Sequence, residues 1–119
     1  MDFSQMFAHE SQTEHFPAGS HILRRGEQAP RMYVMLDGEA EIRIGDQVVE
    51  VARKGALLGE LALIDRSPGS ADVVARSDCR LVAIDERRFS FLVQQTPNFA
   101  LQVMKLIADR LRAMNARLG

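Results

Sequence analysis

The chain is organised around the stretch LGELALIDRSPGSAD, residues 58–72, which is also the starting point for its function. A glycine and a carboxylate open a short apolar turn, which then runs into a polar loop. Gly59 lets the backbone approach a ligand closely. The residues directly after it are expected to form one helical turn, whose first N–H groups lack intrahelical partners and suit an anion. Because Glu60 can accept hydrogen bonds from a sugar diol and the Ser70 hydroxyl can donate one to a phosphate oxygen, the stretch predicts a site for a sugar phosphate.

Spaced glycines before this stretch make the pattern more specific. They occur in Phe16-Pro17-Ala18-Gly19, in Gly26-Glu27, in Tyr33-Val34-Met35-Leu36-Asp37-Gly38 and at Gly55. Together with the GELAL segment and the Ser-Ala pair, they resemble the cyclic nucleotide-binding domain family, of the catabolite activator and protein kinase A regulatory subunit type, over about residues 16–71. Each motif alone occurs by chance, whereas their order is specific. We call residues 58–72 the cassette, after the phosphate-binding cassette that they resemble.

The resemblance implies both a fold and a ligand. The implied fold class is α+β and mainly β: a double-stranded β-helix, or jelly-roll barrel, with a short N-terminal helix and two C-terminal helices, the last of which is long. The implied ligand is a cyclic nucleotide, cyclic AMP or cyclic GMP, and no cofactor is implied. The phosphate and ribose contacts implied for this chain are Gly59, Glu60, Leu61, Ala62, Ser70 and Ala71.

One position departs from the family pattern. The residue before the Ser-Ala pair is usually an arginine that neutralises the cyclic phosphate, whereas this chain has Gly69. Loss of such a charge-assisted pair is expected to weaken binding by about 2–4 kcal/mol. Arg66 in the same loop and Arg76 on the following strand are the candidate replacements for this charge. The sequence Ser67-Pro68-Gly69-Ser70 also predicts a tight turn in which the glycine supplies a positive φ.

Composition restricts the class of protein. The 119 residues are enough for one domain with a core, and 46% hydrophobic with 26% charged residues is typical of a soluble globular protein. The 15 Lys and Arg nearly balance the 16 Asp and Glu, so no basic surface for nucleic acid is indicated. A single cysteine, Cys79, excludes an internal disulfide, and the sequence shows neither a membrane span nor a signal peptide. We therefore expect a cytoplasmic protein without membrane or direct nucleic-acid contact.

The sequence carries no pattern typical of an enzyme or a metal site. It has no candidate Ser-His-Asp constellation, no Walker loop and no cysteine in an evident activating environment. His9, His15 and His21 recur every six residues, which places them on no common helix face and matches no zinc-ligand spacing. We therefore predict a protein without catalytic activity or a bound metal ion.

The elements follow from periodicity and punctuation. Short apolar or alternating runs separated by glycine cover about residues 14–85 and predict an all-β sandwich or barrel. Gly45-Asp46 predicts a two-residue hairpin of type II′. Asp2 and Gln5 resemble a capping box and start a predicted amphipathic helix over about residues 3–10. The predicted strands cover residues 14–16, 21–24, 32–36, 40–44, 47–51, 72–76 and 80–84, the predicted C-terminal helices cover about 86–95 and 97–118, and all of residues 1–119 are predicted to form a single domain.

The last predicted helix carries an apolar stripe along its whole length. Its first half is wider, with Phe99, Leu101, Val103 and Leu106, as is expected where a helix packs on its own barrel. The narrow stripe that continues to the end has the spacing of a seam between two helices. We predict a homodimer through this seam, the alternative being that its last residues cover more of the barrel. The seam residues are Met104, Ile107, Leu111, Met114 and Leu118.

Three functions remain open on the sequence. The first is a non-enzymatic regulatory module that binds a cyclic nucleotide, weakly because of Gly69, and acts on an unidentified effector protein; Arg110, Met114 and Asn115 are then the candidate contacts to the base. The second is a degenerate domain of the same fold, a dimeric protein-interaction module without nucleotide, which Gly69 favours. The third is the sensor half of a transcription regulator, which requires a DNA-binding domain beyond these residues.

Overall fold

Residues 2–118, apart from the side chain of Leu118, are described by the computed structural model. They form eight strands and three α-helices after a 3₁₀ turn at Ser4–Phe7. The strands are β1 (Glu14–Phe16), β2 (His21–Leu23), β3 (Arg31–Asp37), β4 (Ala40–Ile44), β5 (Gln47–Ala52), β6 (Leu57–Leu58), β7 (Asp72–Ala75) and β8 (Cys79–Asp85). The helices are α1 (Glu60–Asp65), α2 (Glu86–Gln95) and α3 (Pro97–Leu118).

Two antiparallel, four-stranded sheets enclose the core. One sheet has the order β1-β8-β3-β6 and the other the order β2-β7-β4-β5. Strand β3 lies between β8 and β6, and its five inner residues are all buried. Both sheets contribute to one apolar cluster, as in a sandwich or closed roll. The cluster contains Ile22, Tyr33, Met35, Ala40, Ala52, Leu58, Val73, Ala75, Cys79 and Leu81. The predicted fold class, mainly β in a jelly-roll arrangement with a long last helix, is confirmed.

The predicted strands are all present, with ends that differ by at most one residue. Strand β6 was not predicted, because two buried leucines form too short a run to show any alternation. The hairpin between β4 and β5 agrees with a type II′ turn, since Gly45 has φ 61° and Asp46 is not among the residues with positive φ.

The N-terminal helix is shorter than predicted. Instead of a helix over residues 3–10, a four-residue 3₁₀ turn spans Ser4–Phe7. Asp2 Oδ1 accepts hydrogen bonds from the N–H and the hydroxyl of Ser4, at 2.8 and 2.5 Å, so the predicted partner of the capping box, Gln5, is replaced by Ser4. Phe3 N–H donates to Gly55 O, and Phe3 and Phe7 are buried. These tertiary contacts hold both ends of the turn and leave no continuing helix.

The chain contacts divide into two compact units, one covering Asp2–Glu86 and the other beginning at Arg87. The first unit contains both sheets and the cassette. In the second, the rings of Phe89 and Phe99 meet edge to face with centroids 5.8 Å apart, which joins α2 to α3. Leu101 was predicted on the broad packing face of α3 but is 62% exposed. That residues 1–119 form a single domain stays a prediction.

Candidate ligand-binding site

The cassette connects the two sheets. It leaves the first sheet at the end of β6, forms α1, and enters the second sheet at the start of β7. Leu57 and Leu58 are buried in the core, as are Ala62 and Leu63 of α1. The predicted helical turn is therefore present, and it is held at a junction between sheets rather than on a free loop.

Gly59 occupies a position that other residues fit poorly. Its φ of 77° and ψ of 18° are left-handed, and it precedes the first residue of α1. A Cβ at this position would lie 2.9 Å from Leu23 Cδ1 and 3.6 Å from Arg31 O. The left-handed backbone conformation thus favours glycine, and any larger residue would also displace the end of the Leu23 side chain.

Glu60 begins α1 and is only 3% exposed. Within the described residues it is the one charged side chain that is buried. A carboxylate buried away from water is costly unless its hydrogen-bonding capacity is used. Of its neighbours, Leu61 is 41% exposed, whereas Ala62 is buried.

The loop after α1 is not the predicted tight turn. Ser67, Pro68 and Gly69 do not form a turn, and the φ of Gly69 is not positive. The chain reverses earlier, at Arg66, which has φ 60° and ψ 22°. Asp65 Oδ1 stabilises this reversal by accepting hydrogen bonds from the N–H and hydroxyl of Ser67, at 3.0 and 2.5 Å. These two bonds from Ser67 hold the pKa of Asp65 below its usual range, and the bond from the hydroxyl has the larger effect.

Gly69 is attached through its backbone to the turn between β2 and β3. Its N–H donates to Glu27 O at 3.0 Å, and its own O accepts from Gly26 N–H at 2.9 Å. A Cβ at Gly69 would lie 3.0 Å from Arg24 O, which itself accepts from Glu27 N–H. The position that carries arginine in the resembling family is therefore tightly packed against a second loop.

Arg66 and Arg76, the candidate countercharges, both have carboxylate partners. Arg66 Nη2 lies 2.6 Å from Glu86 Oε1, and its side chain is 76% exposed. Arg76 Nε lies 4.0 Å from Glu41 Oε2, a carboxylate that also pairs with Arg43. Arg66 is thus directed to an exposed carboxylate and Arg76 to a largely buried one in this structure.

Ser70 and Ala71 complete the cassette before β7. Ser70 is exposed and Ala71 is half-buried. The next residue, Asp72, accepts a hydrogen bond from Arg25 N–H at 3.0 Å and lies 3.9 Å from His21 Nε2. Backbone and side-chain bonds from both sides of residue 70 therefore attach the cassette to the segment after β2.

A cavity of about 270 Å³ lies beside the cassette rather than over it. It is lined by residues 21–24, residues 27–31 and Tyr33. Leu23 and Arg24 in this lining are also the nearest neighbours of Gly59 and Gly69. The predicted phosphate and ribose contacts do not line the cavity, and their role as ligand contacts stays a prediction.

The predicted base contacts belong to the second unit. Met114 and Asn115 are exposed on α3, and Arg110 is half-buried. Their role as base contacts stays a prediction.

No helix in the described part of the chain is both long and apolar enough to span a membrane. Among the same residues, no group of three or more His, Cys, Asp or Glu side chains is placed to hold a metal ion.

Sequence reasoning missed two parts of the site. The turn at residues 24–27 contacts Gly69, and Glu86 holds Arg66. Gly26-Glu27 was recognised as a family motif, and this is the signal that links the turn to the cassette. Nothing in the sequence pattern identifies Glu86, because its partner is distant along the chain.

Residues 13–96 match the family described as the cyclic nucleotide-binding domain. The chain is 30% identical over 100 residues to the Pycsar effector protein XpPycTIR of Xanthomonas perforans, covering 83% of this chain and 33% of that protein. It is 37% identical over 90 residues to the cAMP-dependent protein kinase regulatory subunit of Schizosaccharomyces pombe, covering 75% of this chain and 22% of that protein.

A solved structure shows the same fold. The chain superimposes on the catabolite activator protein of Thermus thermophilus with a TM-score of 0.80 and 28% identity, covering 90% of this chain and 53% of that one. The relatives named here are thus an effector, a regulatory subunit and an activator. The chain spans a third or less of the length of the two curated relatives and about half of the solved one.

Proposed function

Because the chain belongs to the cyclic nucleotide-binding domain family, we propose that it is a ligand-sensing module that binds cyclic AMP or cyclic GMP at the cassette. The phosphate and ribose contacts are the residues from Gly59 to Ala62, together with Ser70 and Ala71. The module has no catalytic activity and acts on an effector protein.

The observation that carries this proposal is the pairing of Gly59 with Glu60. A left-handed glycine packed against Leu23 is followed by a carboxylate that is only 3% exposed. An acceptor held in a buried position is suited to two ribose hydroxyl donors. The left-handed glycine and the buried acceptor together favour a ligand site over a turn that only connects the two sheets.

The binding is weak because residue 69 has no side chain to neutralise the phosphate. Backbone amides carry no net charge, and a phosphate monoanion needs a countercharge when it leaves water. The missing charge-assisted contact costs about 2–4 kcal/mol. Arg66, the more exposed of the two candidate cations, and Arg76 are the side chains that remain to replace it.

Calorimetric titration with cyclic AMP and cyclic GMP tests the proposal. We expect a Kd on the order of tens of micromolar or weaker. Arg66→Ala and Arg76→Ala, titrated in parallel, identify the countercharge, since the replacement of the cation that binds the phosphate should weaken binding about tenfold. Submicromolar binding that neither replacement alters would show that the charge comes from elsewhere.

The second candidate function is a dimeric protein-interaction module without nucleotide. The absence of a side chain at Gly69 favours it, as does the exposed apolar stripe of α3, which includes Met104, Leu111 and Met114. A homodimer through α3 belongs to both candidates. If neither nucleotide gives binding heat at millimolar concentration while the protein is dimeric, the second candidate is the correct one.

A further inference from the structure

The loop that carries Arg66 has a fixed backbone. At its start, Asp65 binds the N–H and hydroxyl of Ser67, and at its end Gly69 exchanges two backbone hydrogen bonds with Gly26 and Glu27. The guanidinium of Arg66 is therefore the part of the loop that can move without breaking these bonds. Its side chain is 76% exposed, so it rotates without repacking any core residue.

The present partner of Arg66 is the residue where α2 begins. Glu86 is the last residue of the first unit and the first residue of α2. Its Oε1 lies 2.6 Å from Arg66 Nη2, and its side chain is 57% exposed. An exposed ion pair of this kind is weak, so a phosphate in the cassette competes with the carboxylate on nearly equal terms.

We propose that Arg66 is a cation shared between Glu86 and the bound nucleotide. In the nucleotide-free protein it holds the Glu86 carboxylate; when a cyclic nucleotide enters the cassette, Arg66 rotates to its phosphate and releases Glu86. This inference rests on the proposed function. It adds a regulatory step, since ligand binding then breaks the ion pair between Arg66 in the cassette loop and Glu86 at the start of α2.

The proposal makes Glu86 an inhibitor of nucleotide binding, although it touches no nucleotide. Neutralising it leaves Arg66 free for the phosphate, so Glu86→Gln should tighten the binding of cyclic AMP about two- to fivefold. Arg66→Ala should weaken binding, and Glu86→Gln should have no effect once Arg66 is alanine. A variant that is merely destabilised would bind cyclic AMP more weakly. Tighter binding by Glu86→Gln therefore cannot result from misfolding.

The test is calorimetric titration of cyclic AMP into the wild type, the two single variants and the double variant. Glu39→Gln is the matched control, because Glu39 forms a similar surface pair with Arg53, at 2.9 Å, away from the cassette. It should leave the affinity unchanged. As an independent readout, cyclic AMP should shift the backbone amide resonance of Glu86 in the wild type but not in Arg66→Ala.

The outcomes separate this inference from the function on which it rests. If the wild type binds cyclic AMP and Glu86→Gln binds it equally well, the shared cation is wrong and the proposed function stands. If Glu86→Gln tightens binding equally with and without Arg66, the effect is long-range charge and the shared cation is again wrong. If neither cyclic AMP nor cyclic GMP binds any variant, both the proposed function and the shared cation are rejected.

Discussion

Gly69 contacts the rest of the protein through its backbone. Its N–H and its C=O both form hydrogen bonds to the turn at residues 24–27. A Cβ at this position would lie 3.0 Å from Arg24 O. Relative to the arginine of the family pattern, Gly69 therefore differs in two ways. It lacks a guanidinium, and it lets the cassette loop lie close to the turn at residues 24–27. A substitution here alters the electrostatics and the packing together, and a control must separate them.

Gly69→Arg should strengthen cyclic AMP binding by about 2 kcal/mol, or roughly thirtyfold in Kd, because it restores a charge-assisted contact to the phosphate. The φ of Gly69 is not left-handed, so a side chain is allowed once Arg24 O moves by a few tenths of an ångström. Titration calorimetry measures the change. Gly69→Ala adds the same Cβ without a charge and should not strengthen binding; equal affinities of the two variants would contradict the account.

At the scale of elements, the N-terminal 3₁₀ turn is fastened by one carboxylate. Asp2 Oδ1 binds both donors of Ser4, a residue that is only 5% exposed. Gly55 has φ 92°, and a Cβ there would clash with the Asp2 carboxylate. Glycine at this position therefore allows the hydrogen bonds between Asp2 and Ser4. Both hydrogen bonds from Ser4 lower the pKa of Asp2 from its ordinary value of 3.8, and the bond from the hydroxyl has a larger effect than the bond from the N–H.

Asp2→Ala should lower the free energy of unfolding by about 1 kcal/mol, because it leaves the buried Ser4 donors without this acceptor. A pKa lowered by folding stabilises the protein above the ordinary value of 3.8 and ceases to do so as the pH falls through the lower folded value. The difference between wild type and variant should therefore be constant at neutral pH and disappear in acid. Urea unfolding at several pH values measures it.

Ser4→Ala provides the comparison for this prediction. It removes the hydroxyl donor but keeps the N–H bond to Asp2, so it should destabilise the protein less than Asp2→Ala does. A difference between wild type and Asp2→Ala that persists unchanged in acid would mean that the carboxylate is not the source of the stability.

At the scale of the whole molecule, α3 presents an apolar stripe that this chain does not cover. Met104, Leu111 and Met114 are 58%, 58% and 47% exposed, and Ile107 is half-buried. Leu118, the last predicted seam residue, has a side chain outside the described residues. Large apolar side chains aligned along one helix face mark an interaction surface. Since the stripe follows coiled-coil spacing, we predict that a second copy of the same helix covers it.

Leu111→Asp should dissociate the homodimer, because it places a charge at the middle of the seam. The loss of two buried leucines should raise the dimer Kd by about tenfold or more. Sedimentation analysis measures the mass. Ala113→Asp is the matched control, since it introduces the same charge at an exposed position of α3 off the seam and should leave the dimer intact. A wild type that is monomeric at high concentration would sink the prediction.

Local patterns in the sequence are sufficient to predict the order and type of nearly all elements. Alternating runs between glycines, the Pro97 start of α3 and the Gly45 turn are local signals, and a strand or helix responds to local periodicity. The cassette helix after Gly59 was predictable for the same reason. The glycine at position 69, where the resembling family has an arginine, is also evident from the sequence, because the residue type at one position is known without the structure.

Only the tertiary structure decided how the cassette is held. The pairing of Gly69 with Gly26 and Glu27, and of Arg66 with Glu86, joins residues far apart along the chain. Periodicity reports which face of an element is apolar, but it carries no information on which distant loop that element meets. The shortening of the N-terminal helix and the short strand β6 have the same cause: buried contacts with β3 and its neighbours outweigh local propensity.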